Sequence, residues 1–279
     1  MKMKSIFAVF VLMFTLSSCQ DVVQFQVEEL DPKIVVEGQV SNNPQDNYIK
    51  LTYNQDFYDS GAVKPATGLT VTVFDDLGNT EVLIETPSNS GYYPIKTLGV
   101  IGRSYSLSIK TADKEYRSEP QKLMAKAPLN YLIQHEYTVN NRPIPFIPPG
   151  IYALFGYTDD ASTTDYSLVR LAINDTLLKD LSYFTVVEDR FISGSTVDSI
   201  AFGKRFKVGE KVTIEHRSIS KGAFDFLNQV GAQLGSAGSP FEVPPGPIRG
   251  NLRNVADKED YCLGWFGVCD VRRDSITIR

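Results

Sequence analysis

The chain has little of what catalysis and metal binding usually draw on. Its 279 residues include 2 histidines, 3 cysteines and 1 tryptophan. His135 and His216 are too few for most zinc sets, and neither stands at a metal-ligand spacing with Cys262 and Cys269. No metal and no other cofactor is therefore expected. Both histidines lie in alternating, strand-like sequence without a GxSxG elbow, so a hydrolase triad is disfavoured and no catalytic residue is assigned. Clustered cations are missing as well. The net charge is −5 and the only adjacent arginines are Arg272 and Arg273, which argues against nucleic acid as a partner, since phosphate contacts need basic stripes.

What is present begins at the N-terminus. Lys2 and Lys4 precede an apolar run of 11 residues, Ile6 to Leu16, followed by small residues and Cys19. A helix crossing a bilayer takes roughly 20 such residues, so residues 1–18 read as a secretory signal rather than a retained span. The sequence Leu16-Ser17-Ser18-Cys19 resembles a lipobox, in which cleavage falls before a cysteine already carrying diacylglycerol. The expectation is a mature chain that begins at lipidated Cys19, with the membrane reached through that anchor. An ordinary signal peptide with an incidental cysteine is the alternative. Residues 19–32 form a tether ending at Pro32, where the pre-proline residue favours extended backbone.

From Lys33 onward one rhythm recurs: an alternating or β-branched run, then a turn cluster. IVVEGQV, YIKLTY, the hairpin LTVTVFDDLGNTEVLIE, GYYPIKTL, SYSLSIK and KEYRSEP give about seven strands before Leu123, a count typical of an immunoglobulin-like sandwich. Gly78 or Asn79 supplies the positive φ that the DDLGN turn needs. Residues 33–124 are thus predicted to form an immunoglobulin-like β-sandwich domain, and residues 125–279 a second β-rich domain; within the first, Gly91 to Lys110, GYYPIKTLGVIGRSYSLSIK, resembles the tail of a transthyretin-like sandwich. The overall class is all-β, with one helix in the C-terminal half. That helix is predicted over about 221–234, capped by Ser220, stopped near Gly235, and apolar along Phe224, Leu227, Val230 and Leu234.

Several groups carry open alternatives. With Cys19 taken by lipid, Cys262 and Cys269 remain as an even pair in an oxidising compartment, and a disulfide is expected. Two buried thiols that never meet is the alternative, because spacing does not reveal whether the Cα atoms lie within bonding range. Asp159, Asp160 and Asp165 gather hard oxygen ligands without the pattern of a calcium loop, so backbone capping and solvation are the favoured roles. Tyr92, Tyr93, Phe146, Tyr152, Trp265 and Phe266 neighbour Gly or Pro turns; core packing is favoured over exposed contact surface. Two proline-rich segments, RPIPFIPPG and SPFEVPPGPIRG, offer preordered loops. Phe146, Ile147, Pro148, Pro149, Phe241, Pro244 and Pro245 are accordingly the candidate partner surface.

These blocks together, KIVVEGQVSNNPQDNYIKLTYNQDF, GLTVTVFDDLGN, GYYPIKTLGVIGRSYSLSIKTADKEYRSEP, FDFLNQVGAQLGSAGSPFEVPPGPIRGNL and LGWFGV, resemble a family of Bacteroidota outer-membrane lipoproteins, domain of unknown function 4249. The resemblance implies an outer-membrane lipoprotein, on the periplasmic or the outer face, acting beside a TonB-dependent receptor. It brings no catalytic residues and points to no particular small-molecule ligand. The expected function is a non-catalytic binding or docking accessory of such a receptor. A cryptic hydrolase or metal-capturing protein built on His135, His216 and nearby carboxylates is the other class.

Overall fold

The run Ile34-Val35-Val36 is β-branched, and its side chains alternate between two environments, as a strand requires. In the computed structural model, which describes residues 31–55, 59, 61–141, 147–162, 164–191, 194–236 and 248–279, this run opens β1 (Ile34–Ser41). Ile34, Val36 and Val40 point into a core, whereas Glu37 is exposed. On one side β1 pairs antiparallel with β2 (Tyr48–Tyr53), which in turn holds β5 (Tyr92–Pro94). On its other side β1 pairs in parallel with β17 (Leu263–Cys269), from Val35↔Leu263 to Ser41↔Cys269.

A second sheet runs in the order β16-β7-β6-β3-β4. It is built from β3 (Thr70–Asp75), β4 (Thr80–Leu83), β6 (Ser104–Lys110), β7 (Glu115–Ser118) and β16 (Leu252–Asn254), with β8 (Gln121–Lys122) also on β6. The predicted hairpin is present. Gly78 takes φ +85 between β3 and β4, and Asp75 Oδ1 accepts from the Leu77 and Asn79 amides. Val36, Val40, Ile49, Leu51, Phe266 and Val268 of the first sheet share one core with Val71, Val73, Leu107, Ile109 and Leu252 of the second. This is a β-sandwich.

The sandwich does not close at residue 124, as the sequence led us to expect. β16 and β17 come from beyond residue 250, yet they supply an edge strand to each sheet and bury Leu252 and Phe266 in its core. Residues 32–55 and 61–279 form one compact unit.

A second core collects Leu132, Phe155, Leu171, Phe202, Phe206, Val212 and Ile214. One of its sheets contains β9 (Leu129–Tyr137), β10 (Gly150–Thr158) and β14 (Thr196–Ile200). The other runs β12 (Thr176–Leu177), β11 (Tyr166–Ile173), β15 (Lys211–Ile219), β18 (Val271–Thr277), with β13 (Phe184–Glu188) also on β11.

The helix α1 (Lys221–Ser236) follows β15 directly. Ser220 Oγ accepts from the Ala223 amide at 3.2 Å, the expected cap. Its predicted apolar face is met in part, with Phe224 against Tyr166 at 5.1 Å between ring centroids and Leu227 and Val230 half-buried. Ala223 is buried and Phe226 lies tilted against Trp265 at 5.2 Å between ring centroids, whereas Leu234 is 57% exposed. Among the described residues no helix is long and apolar enough to cross a membrane.

Gly264 fixes the close approach of β17 to β1. Its φ is +77, and a Cβ there would stand 2.1 Å from the Val36 carbonyl oxygen. Gly264→Ala is expected to cost about 2 to 3 kcal/mol of unfolding free energy through strain and clash together. Gly78→Ala, where a Cβ meets nothing within 4 Å, carries only the backbone cost of about 1 kcal/mol. Urea midpoints at unchanged m compare the two, and equal losses would mean that β1 and β17 relax apart without penalty.

Candidate functional site

Strand alternation sends one face of the first sheet into the sandwich and leaves the other facing outward. Val35, Glu37 and Gln39 of β1, Tyr48 of β2, and Trp265, Gly267 and Cys269 of β17 lie on that outward face. They line a groove of about 430 Å³ whose opposite wall is Leu168 and Arg170 of β11, Arg217 and Ile219 of β15, and Ala223, Phe226, Leu227 and Val230 of α1. Its volume falls in the range of small-molecule sites. The lining divides by register. Trp265 stands opposite Glu37 and Gly267 opposite Gln39 on β1, while β11 pairs Tyr166 with Ile219, Leu168 with Arg217 and Arg170 with Glu215. Apolar groups therefore gather toward α1, and charged groups toward the far end of the same strands.

That charged end is an ionic cluster centred on Glu215. Its Oε2 accepts from Arg170 Nε and Nη2 at 3.0 and 2.7 Å and from Arg217 Nε and Nη2 at 3.1 and 2.9 Å. Its Oε1 accepts from Arg273 Nε at 2.7 Å. Arg273 also donates to both oxygens of Asp46 at 2.6 Å, and Arg217 stands 3.6 Å from Asp46. Three guanidiniums thus share two carboxylates. Burial alone would raise the Glu215 carboxyl, but Arg217 and Arg170, with Arg273 bonded to it, outweigh that and hold it at about 2. Burial and the neighbouring Arg217 pull the Arg170 guanidinium below its ordinary value. Arg217 is 2% exposed, and its Nη1 reaches the Cys269 sulfur at 3.8 Å.

His216, between Glu215 and Arg217 on β15, faces the other way and is sealed, at 0% exposure. Tyr157 lies against it at 4.4 Å between ring centroids. Burial first, then the nearby Lys126 ammonium, lower the imidazole to about 3. Lys126 is itself buried and reaches Asp165 at 3.4 Å. His135 is on another sheet, half-buried on β9 with its ring against Tyr137. The two histidines therefore form no pair.

The sequence-derived candidates meet different fates. Cys262 and Cys269 are free, buried thiols, which corrects the expected disulfide. The reason is geometric: Cys269 ends the strand that begins just after Cys262, and seven residues of strand extend on the order of 20 Å, far beyond the Cα separation a bridge tolerates. Burial pushes the Cys262 thiol up to about 12. Asp159 is buried, Asp160 caps Ser162, and Asp165 pairs with Lys126. Among the described residues no three His, Cys, Asp or Glu side chains gather to hold a metal ion. Of the aromatic set, Tyr93, Tyr152 and Phe266 are core, whereas Trp265 is groove wall. Pro148 and Pro149 are exposed and Ile147 is half-buried. Ile147 and Pro148, with Tyr137 and Tyr152, line a cavity of about 370 Å³. Cys19, Phe146, Phe241, Pro244 and Pro245 lie outside the described residues.

Arg170, Glu215, Arg217 and Asp46 were not legible as a cluster. Only the run Glu215-His216-Arg217 inside an otherwise β-branched strand hinted at charge held in a covered position.

A family model described as "Domain of unknown function (DUF4249)" matches residues 20–275 of the chain. No curated protein matches. Among solved structures, a two fibronectin type-III domain segment from chicken tenascin aligns at 13% identity over 67% of this chain and 90% of that one, with a TM-score of 0.20. A likeness at that score carries no argument, and the fold rests on the sheets themselves.

Two outcomes follow from the charges. Glu215→Ala leaves three guanidiniums with Asp46 alone and is expected to lower stability by about 3 to 5 kcal/mol, measured by chemical unfolding at neutral pH. His216 is neutral in the folded chain down to about pH 3 but takes a proton near 6.5 once unfolded. Its contribution is complete above 6.5 and shrinks as pH falls toward 3, by about 1.4 kcal/mol per pH unit. Glu215 loses its contribution only below 4.5, so the interval from 6.5 to 5 isolates the histidine from it. His216→Leu should flatten the stability profile there; an unchanged slope would show that His216 is not its source.

Proposed function

The chain belongs to the family described as domain of unknown function (DUF4249), and from that premise we propose that it is a lipid-anchored, non-catalytic binding protein of the bacterial outer membrane that serves a TonB-dependent receptor. The observation that carries the reading is the groove. Strands β1 and β17, far apart in sequence, and a helix assemble one open, largely apolar trough with a charged end, a shape suited to binding. The signal and lipobox pattern through Cys19 supports attachment by a diacyl lipid, which anchors stably where one acyl chain does not. An anchor of that kind raises the effective concentration of the body near a receptor in the same membrane, so a modest interface suffices. The exposed Pro148 and Pro149 beside the Tyr137–Tyr152 cavity offer a preordered surface for it.

Hydrolysis or metal capture by the two histidines is the lesser reading, since His216 is sealed and His135 stands on a different sheet.

Intact mass of the native protein is expected to show diacylglycerol on Cys19 and no residues before it. Affinity purification from mildly solubilised outer membranes should recover a TonB-dependent receptor, and recovery should fall when Pro148 and Pro149 are both replaced by Ser. An unlipidated N-terminus elsewhere, or a hydrolytic activity abolished by His135→Ala in a protein recovered alone, would overturn the reading.

A further inference from the structure

Glu37, Gln39 and Tyr48 add polar groups along the β1–β2 wall of the groove, and at the charged end the ionic cluster itself is unbalanced. Arg170, Arg217 and Arg273 share Glu215 and Asp46, leaving one positive charge without a counter-ion in the cluster. Arg170 is the member positioned to use it: it lines the groove, keeps its side chain 25% exposed, and spends two donors on Glu215 alone. A guanidinium fork with donors to spare matches a carboxylate. From Arg170 one wall passes through Leu168 to Phe226, Leu227 and Val230, and Trp265 stands on the other, beside Glu37, whose carboxylate accepts from the Tyr48 hydroxyl at 2.7 Å.

Backbone pairing argues against an extended peptide as occupant. β1 has a partner strand on both edges, and on the free edge of β17 the Asn251 carboxamide bonds the Phe266 amide and carbonyl at 2.9 and 2.7 Å. A peptide laid in the trough would bury its amides without a ladder to receive them. A hydrocarbon chain has no such need.

We propose that the groove binds a long-chain carboxylate, its head group on Arg170 and its acyl chain along Leu168, Phe226, Leu227, Val230 and Trp265. This rests on the reading of the groove as the binding site and adds the chemical class of its ligand.

The chain contains 1 tryptophan, and it lines the groove, so occupancy is readable without a label. The full chain in lipid nanodiscs is titrated with 9,10-dibromostearic acid, whose bromines quench tryptophan on contact, and in parallel with the dibromo alcohol of the same length. The expected result is saturable quenching by the acid, with the alcohol and the Arg170→Met protein each at least about tenfold weaker, as loss of a charged hydrogen bond implies. Gly267→Leu should abolish saturation by filling the trough; a Cβ at Gly267 meets Trp265 at no closer than 3.6 Å, so the added side chain starts from an unstrained position. Equal quenching by acid and alcohol, unchanged in Arg170→Met, overturns the carboxylate while leaving the groove a binding site. An apolar peptide with a free C-terminus that displaces the acid at concentrations below the acid's own midpoint overturns the acyl ligand. Absence of saturable quenching by every probe overturns both the ligand and the groove.

Discussion

Everything else in the molecule depends on the parallel pairing of β1 with β17. Seven residue pairs, Val35↔Leu263 to Ser41↔Cys269, tie the start of the body to a segment near its end. Without β17 the first sheet has an open edge at β1, and its core lacks Phe266 and Val268. Without it there is also no groove, because Trp265, Gly267 and Cys269 are the outward half of the same strand. One strand therefore serves two surfaces at once, burying its even-numbered side chains in the sandwich and presenting the odd ones opposite α1. Gly264 is the admission condition, since any side chain there would collide with the Val36 carbonyl.

Much of this architecture was readable from local pattern. The alternation in IVVEGQV and YIKLTY, the DDLGN turn, and the three-to-four spacing after Ser220 all correspond to elements close to their expected bounds, because each signal is contained within its own element. What was not readable is what long-range contact decides. No local feature of LGWFGV announces a parallel partner more than two hundred residues earlier, so the domain boundary expected at residue 124 missed the two strands that return. The same cause misled the cysteines: an even count in a short interval suggested a bridge, whereas an extended strand holds the sulfurs apart. On α1 the spacing identified the helix and most of its covered stripe, but not Phe226, whose contact depends on where Trp265 stands.

The candidate site was the least legible part, for an energetic reason. Charged residues in a strand usually mark its wet face. In β15 the residues Glu215, His216 and Arg217 are all buried, because sheets or strands cover both of its faces. Burial of so much charge is tolerable only through mutual pairing, with Asp46, Arg170 and Arg273 contributed by three other segments. Until those segments are placed, the same letters read as an ordinary exposed strand. Trp265 shows the converse, a ring that composition assigned to the core and that turns out to be wall.

The return of β17 also sets an order of events on the ribosome. A chain emerging N-terminus first presents β1 and β2 long before Leu263–Cys269 exists, so the first sandwich stays incomplete until more than two hundred further residues have been made. Contacts of such sequence separation form late and slowly. The sandwich therefore keeps an open β1 edge and lacks Phe266 and Val268 in its core until the returning strand arrives.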